Sequence, residues 1–73
     1  MVNDEVMRVL KQQFGRQNVI PLPEVCVVRV PYPGMQFLRS MILTWPQANY
    51  VADHPQLTNE NLVDGHLPED WPE

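Results

Sequence analysis

Val6, Leu10 and Phe14 recur at a spacing of four with Met7 beside them, while Arg8, Lys11, Gln12 and Gln13 fall on other faces. That stripe has the period of an amphipathic helix. Asn3 ahead of it is a good N-cap, Asp4 and Glu5 suit the positive end of the helix dipole, and Gly15 stands where a C-terminal glycine belongs. The pattern predicts a helix over residues 3–14.

From Arg16 to Glu24 the chain reads as a connector with one short apolar stretch, Val19-Ile20, and a Pro21-Leu22-Pro23 run that fixes two φ angles in an extended path. Residues 25–30 are rich in β-branched side chains and predict a strand, apolar on both faces except at Arg29. Tyr32-Pro33-Gly34-Met35 then has proline and glycine where a type II turn needs them.

Residues 35–45 fit two patterns. As a helix, Leu38, Met41, Ile42 and Trp45 share a face opposite Gln36, Arg39, Ser40 and Thr44. As a strand, Met35, Phe37, Met41, Leu43 and Trp45 share one, interrupted by Arg39. The helical period is the cleaner, yet the strand at 25–30 needs a hydrogen-bonding partner, and a hairpin across Pro33-Gly34 supplies one. The expectation is therefore a hairpin, with a helix as the alternative.

Beyond it, residues 47–53 suggest a short helix, with Thr44 as cap and Pro46 in the first turn, stopped by His54-Pro55. Thr58 begins another helical turn: Leu57 and Leu62 have hydrophobic-staple spacing, and Gly65 closes it. The expected architecture is α+β: one domain over 1–66, with the N-terminal amphipathic helix packed on the hairpin and short helical turns after it. Residues 67–73 form an extended acidic tail. A mostly α fold is the alternative.

Length sharpens this picture. A chain of 73 residues buries only about 60% of its unfolded surface, so its core is marginal. Cys26 is the only cysteine, which excludes an intrachain disulfide, and there is no Cys/His framework for structural zinc. Self-association or docking on a partner is the natural remedy. The N-terminal residues lack the cationic and apolar regions of a signal peptide, and no Asn-x-Ser/Thr site is present. The expectation is a cytoplasmic, intracellular protein that is not secreted. No apolar run is long enough to span a bilayer.

Charge divides the chain. All five cations (Arg8, Lys11, Arg16, Arg29, Arg39) precede Ser40 against three carboxylates, whereas six carboxylates and no Lys or Arg follow. The first part is +2 and the second −6. With a pI near 4.9 and so few cations, nucleic acid is not an expected partner.

Candidate chemistry is sparse. Gly15, Gly34 and Gly65 are too dispersed for a phosphate-cradling loop. Cys26 lies among valines and reads as a small buried hydrophobe, and Ser40, the only serine, has no histidine near it in sequence. Asp53-His54 and Asp64-x-His66 are weak metal candidates whose spacing matches no ligand motif, so neither a metal nor another cofactor is expected. Trp71 is the most pointed feature. In a proline-stiffened acidic segment it suits a partner-binding anchor, with Leu67, Glu69 and Asp70 beside it; alternatively it folds back on this protein's own core.

These observations favour a non-enzymatic protein–protein interaction protein, an accessory factor or minor subunit of a larger assembly, with a protein partner or homo-oligomer. Two alternatives come from other classes: an acidic inhibitor or nucleic-acid mimic, and a metal-dependent enzyme using His54 and His66.

Overall fold

The computed structural model describes residues 3–32, 34, 36–57 and 59–72. Helix α1 spans Asp4–Phe14. Asn3 caps it: its Oδ1 accepts from the amides of Glu5 at 3.0 Å and Val6 at 3.2 Å. Gly15, at φ 100°, ends it with its amide donating to the Lys11 carbonyl. A 3-10 turn at Arg16–Asn18 leads into strand β1, Val19–Pro21. This stretch, expected as part of a connector, is a third strand, too short for its own periodicity to register.

Strand β2 spans Val25–Pro31 and β3 spans Leu38–Thr44. They pair antiparallel from Val25↔Thr44 to Pro31↔Leu38 without interruption. The hairpin is therefore present, and the helical alternative fails over Leu38–Thr44; Trp45, expected on the strand, instead begins the next helix. Gly34 adopts φ 75°, the left-handed region that a type II turn demands at that position. Pro33 and Met35 of the expected turn lie outside the described residues. β1 pairs antiparallel with β2, giving the order β1-β2-β3.

Helix α2, Trp45–Asp53, begins two residues before the expected position. Thr44 and Gln47 form a capping box: the Thr44 hydroxyl accepts from the Gln47 amide at 3.3 Å, and Gln47 Oε1 accepts from the Thr44 amide at 3.0 Å. Helix α3 spans Asn59–Asp64. Its expected cap, Thr58, lies outside the described residues.

The helices and the sheet form two layers around one core. From the sheet, Val19, Cys26, Val28, Val30 and Leu43 face inward. Val6, Met7, Leu10 and Phe14 of α1, Trp45, Ala48 and Val51 of α2, and Leu62 and Val63 of α3 meet them. Trp45 also donates from Nε1 to the Leu22 carbonyl at 3.0 Å, tying α2 to the β1–β2 turn. Arg39, which interrupted the inward face in sequence, reaches the Val63 carbonyl near the end of α3 at 3.2 Å. There a cation meets the negative end of the helix.

Candidate interaction surface

Of the expected partner-binding residues, Asp70 and Trp71 lie against α2. Trp71 is half-buried, packs on the core and meets Tyr50 edge-on with ring centroids 5.4 Å apart. Gln47 Nε2 donates to the Pro72 carbonyl at 2.8 Å, and the Tyr50 hydroxyl donates to Asp70 at 2.7 Å. One Gln47 side chain thus both caps α2 and holds the tail. Instead of extending from the domain, residues 70–72 fold back on it, the alternative position for Trp71. Leu67, Glu69 and Asp70 remain exposed; Glu73 lies outside the described residues.

The Asp70 contact pushes the Tyr50 hydroxyl above its ordinary pKa, with partial desolvation and the carboxylate's charge acting in the same direction. A raised phenol pKa contributes stability that is complete below the unfolded value, 10.0, and is lost as pH rises through the higher folded value. Tail docking is therefore expected to persist through neutral pH and loosen in strong base. The Trp71 indole resonance should move above about pH 10 in the wild type and not in Tyr50→Phe. Coincident titrations in the two proteins would refute the coupling.

The weak metal candidates are held differently. His54 is half-buried, stacks on Tyr50 at 3.8 Å between ring centroids, and its Nδ1 lies 2.8 Å from the Tyr50 carbonyl oxygen. Asp53 ends α2 and Asp64 ends α3, both exposed. His66 is exposed, its carbonyl accepting from Asn61. Among the described residues no three His, Cys, Asp or Glu side chains are grouped closely enough to hold a metal ion. Cys26 is fully buried, which pushes its thiol pKa up and makes it a poor nucleophile. Arg8 pairs with Glu5 on α1, while Arg16, Arg29 and Arg39 lie on the 3-10 turn, β2 and β3. Among the described residues no helix is long and apolar enough to cross a membrane.

The surface that sequence reasoning missed is the other side of the sheet. Alternation turns Val25, Val27, Arg29 and Pro31 of β2 away from the core, and the register sets Thr44, Ile42, Ser40 and Leu38 of β3 beside them. Ile20 of β1 stands opposite Val27, so Ile20, Val27 and Ile42 form one aliphatic row across all three strands. Ile42 is 70% exposed and Leu38 47% exposed. A solvated sheet face ordinarily places polar residues at these positions. Here the only charge among them is Arg29. The signal was present in sequence: a strand apolar on both faces needs cover on both, and the helices cover one.

The β3 edge is equally open. Tyr32 donates to the Phe37 carbonyl at 3.1 Å, which sets the phase of the ladder. Residues Val30–Arg39, Val28–Met41 and Cys26–Leu43 are the hydrogen-bonded pairs, so the backbone groups of Leu38, Ser40, Ile42 and Thr44 point away from β2. The Thr44 amide is taken by Gln47. No hydrogen bond within the described residues occupies the amides of Leu38, Ser40 and Ile42. β1, at the opposite edge, is three residues long and ends in a proline, two ordinary forms of edge protection that β3 lacks.

The chain matches no protein-family model, no curated protein and no solved structure.

Proposed function

We propose that this protein is a non-enzymatic interaction subunit whose contact surface is the outer face of its sheet. The observation that carries this reading is the aliphatic row Ile20–Val27–Ile42, extended by Val25 and by Leu38 beside Pro31. Contiguous exposed apolar surface of this kind marks protein contact sites. A small two-layer domain gains stability when a partner covers it, because anything that binds only the folded state shifts the folding equilibrium. The tail supports this role indirectly, since Trp71 packs on α2 while Ile20, Leu38 and Ile42 of the sheet stay exposed.

Affinity capture from the native host, comparing wild type with Ile42→Lys and with Leu67→Ala/Glu69→Ala, tests the assignment. Ile42 is exposed, so its substitution should leave the melting temperature nearly unchanged. The same specific partner should be recovered by the wild type and the tail variant and lost by Ile42→Lys. Retention by Ile42→Lys with loss by the tail variant would move the contact surface to residues 67–72.

A further inference from the structure

The free edge of β3 and the charge beside it define the occupant more closely than an apolar face alone does. Strands β1, β2 and β3 together carry two cations, Arg29 and Arg39, and no carboxylate. Arg39 is engaged with the Val63 carbonyl. Arg29 is exposed and has no ion pair among the described residues. It sits opposite Ser40, between the outward-facing Val27 and Pro31.

We propose that β3 accepts an extended segment of a partner protein as a fourth, antiparallel strand, with an acidic residue opposite Ser40 and an aliphatic residue two positions away on each side. The proposal rests on the reading of the sheet as the contact surface and adds the chemistry of what binds there. Main-chain bonds to Leu38, Ser40 and Ile42 would supply affinity, while alternate side chains would supply selectivity. The aliphatic residues would fall beside Leu38 and Ile42 and continue the outer apolar face. A strand docked on β3 lies about 10 Å from β2, a gap that a guanidinium and a carboxylate side chain can close between them because only the small Ser40 intervenes. The acid then neutralises Arg29.

A second copy of this chain fits the same edge less well. Antiparallel pairing of β3 with itself through all three free positions places Ser40 opposite Ser40 and brings two Arg29 residues toward that centre with no carboxylate between them. Charge complementarity therefore favours an acidic partner strand over self-pairing.

The test is NMR titration of isotope-labelled full-length protein with the blocked peptide Thr-Ile-Thr-Glu-Thr-Ile-Thr and with its Glu-to-Lys counterpart. The expected result is saturable binding of the glutamate peptide with slowed exchange of the Leu38, Ser40 and Ile42 amides. The lysine peptide should bind about five- to tenfold more weakly, an exposed attraction having been replaced by a repulsion. Arg29→Glu should invert that preference. Equal affinities for the two peptides, or no binding of either, would overturn the proposal, and the peptide comparison needs no variant to fold. Protection of the same amides that grows with protein concentration alone would overturn it in favour of self-pairing. Should neither peptide bind while Ile42→Lys still loses the native partner, the edge-strand proposal fails and the contact-surface reading stands.

Discussion

Leu10→Ala is expected to lower folding stability by about 3 kcal/mol, whereas Lys11→Ala should be nearly neutral. Leu10 has no solvent exposure and lies at the centre of the α1 stripe, between Val6 and Phe14. Truncation removes the transfer free energy of its lost atoms and leaves a cavity that neighbouring side chains fill only partly. In a 73-residue domain, total stability is about 4–11 kcal/mol, so the loss is a large fraction of it. The melting temperature should fall by roughly 12–24 °C. Thermal unfolding followed by circular dichroism checks this, and equal shifts for the two variants would mean that α1 does not dock through this stripe.

A loss of about 4 kcal/mol is expected for Trp45→Ala, and a much smaller one, about 1 kcal/mol, for Trp45→Phe. The indole is buried at the first residue of α2, where it packs on the core and donates to the Leu22 carbonyl. Phenylalanine keeps most of the apolar contact and gives up the hydrogen bond. Leu22 is exposed, so water can take over its carbonyl, and the bond itself contributes little. Denaturant unfolding of the two variants separates packing from hydrogen bonding. If Phe costs as much as Ala, the bond to the β1–β2 turn dominates and the packing account of this residue is wrong.

Elements with local signals were legible in the sequence. Asn3 and Gly15 bracket α1, Thr44 and Pro46 mark the start of α2, and Gly34 marks the hairpin turn. Residues 38–44 were legible only through a tertiary argument. Their helical period was the cleaner one, and the unpaired ladder of β2 decided in favour of a strand. β1 was missed because three residues, one of them proline, carry no period; pairing with β2 makes them a strand. Arg39 looked like a flaw in an apolar face because its acceptor, the Val63 carbonyl, lies 24 residues away.

The surface was legible in composition and not in assignment. Trp71 is conspicuous in sequence as a tryptophan among acids and prolines, whereas Tyr50 and Gln47 of α2, which hold Trp71 and Pro72, are distant in sequence. Val25, Val27, Ile20 and Ile42 are ordinary strand residues, and each alone predicts only a strand. Their common exposed face comes from the register that aligns them on one side and from helices that all pack on the other. No local pattern contains that information.

Amide hydrogen exchange on the isolated protein at low concentration tests the central claim most directly. Protection along β3 should alternate: Met41 and Leu43, bonded to β2, exchange slowly, while Ser40 and Ile42, directed at the open edge, exchange near the rate of an unstructured chain. The same alternation persisting across a dilution series would establish the edge as a property of the monomer. Equal protection of Ser40, Met41, Ile42 and Leu43 in the dilute monomer would mean that the edge is already covered, and that the sheet is not the surface this protein presents to a partner.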